Sequence, residues 1–337
     1  MSARYPFSAI AGQEELKQAL LLTAVDPLIG GLLAFGDRGT GKSTAVRALA
    51  ALLPEIRATS CAYHCDPDTP AAQCDACRKA ASHKLRKIPI PVVDLPLGAT
   101  EDRVLGALNL ERALSHGEKH FEPGLLAQAN RGYLYVDEVN LLEDHIVDLL
   151  LDVAASGENV VEREGLSLRH PARLVLVGSG NPEEGELRPQ LLDRFGLSVE
   201  VRTPSDVSDW VEIVKRRDAF ERDPEGFRAQ WEKAEDQTRR RILKARRALA
   251  AVVVPDAILE RAAALCIHLR TDGLRGQLTL MRAARALAAF NSARQVTLDH
   301  LRAMAAPALR HRLRRNPLDE TGSTVRIDRG VAEVLGA

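Results

Sequence analysis

Gly36-Asp37-Arg38-Gly39-Thr40-Gly41-Lys42-Ser43 lies between an apolar run, Leu28 to Phe35, and an apolar pattern of helical period, Thr44 to Leu53. A glycine-rich octapeptide with a strand entering and a helix leaving lets successive backbone N–H groups turn inward on a polyphosphate. Lys42 is spaced to reach the β and γ phosphates, and the Ser43 hydroxyl to ligate a magnesium ion. The helix that starts here points its positive end at the same anion. Gly36 through Ser43 are therefore the expected nucleotide-binding residues, with an ordinary strand-to-helix turn as the alternative.

Gly132-Tyr133-Leu134-Tyr135-Val136-Asp137-Glu138 is an apolar strand ending in two carboxylates. Asp137 would hold the magnesium through water, beside Ser43, and Glu138 would polarise the attacking water. Phosphoryl transfer asks a protein mainly to position groups and stabilise charge, so these acids and Lys42 form a minimal set. A buried strand capped by solvated acids is the plainer reading, and the phosphate loop upstream weighs against it. The run Leu174 to Gly180 ends at Asn181-Pro182, which delivers a neutral amide to the carboxyl edge of an open α/β sheet, where ligands collect. Asn181 is thus the candidate to orient the water with Glu138.

Two arginines complete the candidate set. Arg194, in Leu191-Leu192-Asp193-Arg194-Phe195, is placed at a helix end. It is a candidate to donate to the γ phosphate of a neighbouring subunit, or else to pair within the chain with an acid such as Asp193 or Glu200. Arg275, in Asp272-Gly273-Leu274-Arg275-Gly276, opens a helix whose dipole its charge opposes. Contact with a phosphate would account for that placement; a solvated arginine in a glycine turn is the alternative.

The 337 residues suffice for two modest domains with their own cores, and 46 basic residues balance 46 acidic ones. No global basic field favours nucleic acid. No apolar run is long enough to cross a bilayer and the start lacks a signal-peptide core, so a cytoplasmic protein without a membrane span is expected. Cys61, Cys65, Cys74 and Cys77 cluster as Cys-x3-Cys-x8-Cys-x2-Cys with His64 among them. A structural zinc site, a redox pair at Cys74 and Cys77, and a set of reduced thiols all fit that spacing. Cys266 falls in a helical apolar pattern and reads as core.

Helical patterns (Ile10 to Leu22, Ser43 to Leu53, Glu101 to Leu114, Leu141 to Ala154) alternate with strand patterns (Leu28 to Phe35, Pro91 to Leu95, the Tyr133 and Leu174 runs, Leu197 to Val201). The fold class is therefore α/β, a parallel sheet sandwiched by helices. Residues 1–204 form the expected nucleotide-binding domain, interrupted by hairpin insertions near 117–124 and 157–168. Residues 205–250 are a charged helical linker, and 251–337 a C-terminal all-helical domain with Asp256 as an expected N-cap. The basic cluster Arg310-His311-Arg312-Leu313-Arg314-Arg315 reads as a solvated helix C-terminus, with a docking surface as the other option.

The phosphate loop, Asp137-Glu138, Asn181, Arg194 and Arg275, followed by helical sequence, resemble an AAA+ P-loop NTPase, in which such positions serve as Walker A, Walker B, sensor 1, arginine finger and sensor 2. Tyr5 to Gln13, Asp94 to Arg103, Leu192 to Gly196, and His311 to Arg315 with Pro317-Leu318 are further similar to the magnesium chelatase I-subunit family. The resemblance implies ATP and Mg2+ as cofactors and self-association into a hexameric ring. It also implies partnership with an AAA+-type D subunit and a large H subunit that holds protoporphyrin IX, with Mg2+ insertion opening the chlorophyll and bacteriochlorophyll branch. Two other readings compete. A MoxR-like AAA+ chaperone for metal-cofactor assembly would share every ATPase residue. A nucleic-acid motor is disfavoured by the neutral charge and by Glu158, Glu162 and Glu164 in the second hairpin.

Overall fold

The computed structural model describes residues 4–108, 121–163, 166–181, 184–185, 187–313 and 323–336. The first part of the chain builds α1 (Glu14–Val25), β1 (Leu32–Gly36), α2 (Lys42–Leu52), β2 (Ile56–Thr59), α3 (Asp75–Lys79), β3 (Leu85–Ile88) and β4 (Val92–Leu95). Then come α4 (Glu101–Leu105), β5 (Gly106–Leu108), β6 (Phe121–Pro123), α5 (Leu125–Gln128), β7 (Tyr133–Val136), α6 (Asp144–Ser156), β8 (Glu158–Arg163) and β9 (Leu166–Pro171). The sheet is completed by β10 (Val175–Gly180), α7 (Pro189–Leu192) and β11 (Leu197–Val201), and the helices α8 (Val207–Arg222), α9 (Pro224–Ala248), α10 (Asp256–His268), α11 (Arg275–Phe290), α12 (Leu298–Leu309) and α13 (Ser323–Leu335) follow.

Five strands form one parallel sheet in the order β11-β1-β10-β7-β4. These strands read as near-continuous apolar runs because helices cover both faces. Strand periodicity divides their side chains. Leu32, Ala34, Tyr133, Tyr135, Val175 and Val177 enter a core with α1, α2 and the C-terminal helices, while Leu33, Leu134, Val136 and Leu176 enter a second core with α6. The first core runs without a break into Ile242 of α9, Leu265 of α10, Leu280 and Leu287 of α11 and Leu301 of α12.

Local chemistry sets the helix ends. The Asp206 and Asp223 carboxylates accept from Ser208 N–H and Gly226 N–H, capping α8 and α9, and Pro224 occupies the first turn of α9. Thr297 and His300 form a reciprocal capping box on α12. Two expectations change. The helix expected over Glu101 to Leu114 ends at Leu105, because Gly106 takes φ +102° and starts a strand that pairs with β6. The residue before α10 with extended backbone is Pro255, not Asp256, whose carboxylate sits instead in the first turn, where the helix dipole favours it.

Strands β8 and β9 pair antiparallel as the arms of a hairpin, from Glu158↔Pro171 to Arg163↔Leu166. Its foot is polar and buried: Asn159 Nδ2 donates to Leu105 O at 3.0 Å and lies 3.0 Å from His170 Nε2. Of the insertion expected near 117–124, residues 117–120 lie outside the described residues, as do Glu164, Arg314, Arg315, Pro317 and Leu318.

Candidate nucleotide site

The end of β1 and the loop leading to α2 carry three glycines at positive φ: Gly36 at +143°, Gly39 at +73° and Gly41 at +81°. At Gly36 a Cβ would stand 1.9 Å from Val201 O, so only glycine lets the loop leave the sheet against β11. Asp37 N–H then donates to Val201 O at 3.1 Å. The Asp37 carboxylate turns away toward Thr203, accepting from its N–H at 2.8 Å and its hydroxyl at 2.6 Å. Those bonds hold its pKa below the usual carboxylate value. Asp37 therefore anchors the loop, while its neighbours face the cavity.

That cavity, about 490 Å³, is lined by Gly36, Arg38, the loop from Gly39 to Thr44, Tyr135, Asp137, Glu138, Ser179, Gly180, Asn181 and Glu184. It lies at the carboxyl ends of β1, β7 and β10, where a parallel sheet places its ligands. Lys42 Nζ donates to Gly36 O and Asp37 O, each at 2.8 Å. Half-burial lowers its pKa, opposed by the nearby Asp137 and Asp37 carboxylates. A lysine ammonium, a glycine-rich loop at a helix start and hard oxygen donors from Ser43 and Asp137 lining one cavity suit a polyphosphate with Mg2+.

Asp137 is held by neighbours that sequence reasoning missed. Ser179 Oγ donates to Asp137 Oδ1 at 2.6 Å, and Tyr135 Oη lies 3.1 Å from the same oxygen and 2.9 Å from Ser179 Oγ. Tyr135 precedes Asp137 by two residues, a spacing that a strand places on one face. Ser179 follows Gly178, which pairs with Val136, so sheet register brings it alongside. Burial raises the Tyr135 pKa, keeping its hydroxyl protonated.

Glu138 takes a left-handed backbone, φ +52°, where β7 gives way to a short helical turn. That turn aims its carboxylate into the cavity, where Arg38 Nη2 meets it at 3.1 Å. Arg38 also pairs with Glu184, a second acid that the sequence reading did not single out. Asn181 lies at the end of β10 on the same wall.

Arg194 and Arg275 lie outside the cavity lining. Arg194 pairs with Asp148 and Asp152, one turn apart on α6. An intrachain pairing thus exists, with acids other than Asp193 and Glu200. Asp193 instead receives Arg275 Nη1 at 3.3 Å and Arg312 Nε at 3.1 Å, and Glu200 receives Arg202 Nη2 at 2.6 Å and the Thr324 hydroxyl at 2.8 Å.

The basic cluster departs most from expectation. Arg310 and Arg312 are buried, with side chains 7% and 1% exposed, rather than solvated. Arg310 pairs with Glu15, and Arg312 donates to the carbonyls of Asp193 at 2.9 Å and Gly196 at 3.0 Å. His311 Nε2 lies 3.1 Å from Phe195 O. This segment clamps the C-terminal helices onto the α7–β11 turn.

Comparison with known proteins agrees with this architecture. A family model described as magnesium chelatase, subunit ChlI, matches residues 109–190, and one described as an AAA lid domain matches 259–330. The magnesium-chelatase 38 kDa subunit of Acidiphilium rubrum is 65% identical over 99% of this chain and 98% of its own length. That of Cereibacter sphaeroides is also 65% identical, over 99% of this chain and 100% of its own length. Among solved structures, a chain from the complex between subunits BchI and BchD of magnesium chelatase is 63% identical, with a TM-score of 0.56 over 94% of this chain and 98% of that one. A crystal structure of a Cytophaga hutchinsonii chain, a candidate ATPase 17% identical with a TM-score of 0.66 over 97% of this chain, shares the fold.

Proposed function

The chain belongs to the magnesium chelatase I-subunit family, and from that premise we propose that it is the ATP-hydrolysing motor that drives Mg2+ into protoporphyrin IX. The observation that carries this reading is that Lys42, Ser43, Asp137, Glu138 and Asn181 line one cavity together. The near-full-length chelatase relatives favour this client over that of a MoxR-like assembly chaperone.

Ser43 and Asp137 would hold the Mg2+ of MgATP, which when bound offsets polyphosphate charge. Lys42 and the loop amides bind the β and γ phosphates. Glu138 and Asn181 orient water at the γ phosphate, with Glu138 accepting its proton. Arg194 acts across a subunit boundary within a hexameric ring, and Arg275 transmits the nucleotide state to the C-terminal helices. We divide the chain accordingly into a nucleotide domain (1–204), a charged helical linker (205–250) and a C-terminal helical domain (251–337). The BchI–BchD complex supports a D-type partner, and an H-type subunit would hold the porphyrin. Magnesium gives up its water shell reluctantly, so inserting it into a rigid macrocycle requires an external source of free energy.

Steady-state phosphate release by the purified chain, alone and with a D subunit, tests the motor reading. ATP turnover that disappears in Lys42→Ala is the expected result. Turnover unchanged by that substitution would place hydrolysis elsewhere.

A further inference from the structure

Between β2 and β3 the chain forms a small lobe that the nucleotide chemistry does not use. Its strands are poor hydrophobic partners: Leu85, Arg86 and Lys87 of β3 are exposed. At the centre lie Cys65, Cys74 and Cys77, buried, with Cys61 half-buried and Tyr63 packed against them. All four thiols are unpaired. Their Sγ atoms lie within 4.8 Å of one another. A tetrahedral zinc with Zn–S bonds of about 2.3 Å sets its sulfurs about 3.8 Å apart. The cluster is therefore of single-ion size; iron–sulfur clusters with several metal atoms spread their ligands wider.

We propose that Cys61, Cys65, Cys74 and Cys77 bind one structural Zn2+. The surroundings suit anionic sulfur. Cys74 N–H donates to Cys65 Sγ at 3.2 Å, the Thr59 hydroxyl donates to Cys61 Sγ at 3.1 Å, and the same hydroxyl lies 3.4 Å from Cys77 Sγ. Such bonds orient metal ligands and balance their charge. The three-residue spacer of the first pair is accommodated because His64 takes a left-handed backbone, φ +48°, turning Cys65 back toward Cys61. Four thiolates leave no open coordination position, which is the mark of a structural rather than a catalytic ion.

The lobe is fastened to the body at the end of β7 away from Asp137. Asn130 Nδ2 donates to Tyr63 O at 2.6 Å, and Arg131 Nη1 to Arg57 O at 2.6 Å. The Tyr63 ring stacks on His170 at the hairpin foot, with centroids 4.6 Å apart. The ion thus staples a lobe too thinly cored to hold its shape by burial, and supports the base of the β8–β9 hairpin.

The test is metal analysis of the full chain purified in reductant without chelator, followed by addition of Zn2+ or Co2+ to metal-stripped protein. The expected results are one zinc per chain and, with Co2+, the visible d–d and sulfur-to-cobalt absorption of a tetrahedral tetrathiolate. Cys65→Ser combined with Cys74→Ser should weaken zinc retention at least about tenfold. The wild-type stoichiometry and cobalt spectrum decide the matter even if that variant misfolds. Reduced protein that takes up no zinc, iron in place of zinc, or a cobalt spectrum without thiolate bands would overturn the assignment. So would paired disulfides that persist in reductant.

Discussion

Glu138 and Asp137 are adjacent in sequence yet their environments separate their duties. Asp137 accepts from Ser179 and stands beside the Tyr135 hydroxyl, whereas Glu138 faces the cavity with Arg38 as its partner. Glu138→Gln keeps the shape and removes the proton acceptor, so ATP should still bind while hydrolysis falls by about 10² or more. Nucleotide affinity and phosphate release, measured together, check this, and undiminished turnover would exclude the role. Ser179→Ala leaves Asp137 less firmly oriented, and the Mg2+ concentration for half-maximal ATPase activity should rise about tenfold; an unchanged requirement would mean that the 2.6 Å bond does not bear on metal binding. Arg194→Ala should lower turnover, and mixing it with Lys42→Ala should restore part of it, because the loop of an Arg194→Ala subunit can meet the intact finger of a Lys42→Ala neighbour, one of the two orientations of a mixed interface. Absence of rescue would favour a purely intrachain role with Asp148 and Asp152. The residues legible in the sequence are those whose neighbours along the chain announce them: a glycine loop, or an acid at the end of an apolar run. Ser179 and Glu184 were not, because their relation to Asp137 and Arg38 is created by strand register and by loops that meet only after folding.

At the level of elements, the α7–β11 turn is where the nucleotide sheet meets the C-terminal helices. Asp193 receives both Arg275 from the start of α11 and Arg312 from beyond α12, next to Arg194. In the proposed mechanism this acid, adjacent in the chain to Arg194, is the point through which a shift of the C-terminal helices would reach the finger. Burial pushes the Arg312 pKa down to about 10, with Asp193 working against that shift, so it stays charged near neutrality. Arg312→Ala leaves buried carbonyls of the α7–β11 turn without their donor, and should destabilise the fold by about 1–3 kcal/mol in urea unfolding; a loss within error of zero would refute the clamp. Burial, with Arg312 and Arg310 nearby, holds His311 well below the ordinary histidine pKa. The unfolded chain therefore binds a proton near pH 6.5 that the folded chain refuses. Stability is full above about pH 6.5 and falls below it by up to about 1.4 kcal/mol per pH unit, until the folded pKa is reached. Unfolding midpoints between about pH 7.5 and 5.5 should drop less steeply in His311→Gln. Equal slopes would contradict this. The five strands of the parallel sheet were readable from their apolar runs, whereas β2, β3 and β5 were not. The segment from Arg310 to Arg312 was not, because charge suggests solvent, whereas acids and carbonyls brought from Glu15 and the α7–β11 turn bury it.

For the whole molecule, the parallel sheet orders its strands so that one edge gathers the phosphate loop, the two acids and Asn181. A balanced net charge gives no general attraction to polyanions. The α/β class was legible from alternating apolar patterns, since the central parallel strands β7 and β10 are buried on both faces. The union of the C-terminal helices with the sheet core was not, because contacts so distant in sequence leave no local period. In the proposed function, hydrolysis in this cavity drives metal insertion. The most direct measurement is Mg2+ insertion into a porphyrin, followed by fluorescence, with this chain, D and H subunits and ATP, comparing wild type with Glu138→Gln. Insertion that requires the wild-type chain and stops with Glu138→Gln is the result expected; insertion that proceeds equally with Glu138→Gln, or ATP turnover with no insertion at all, would contradict it.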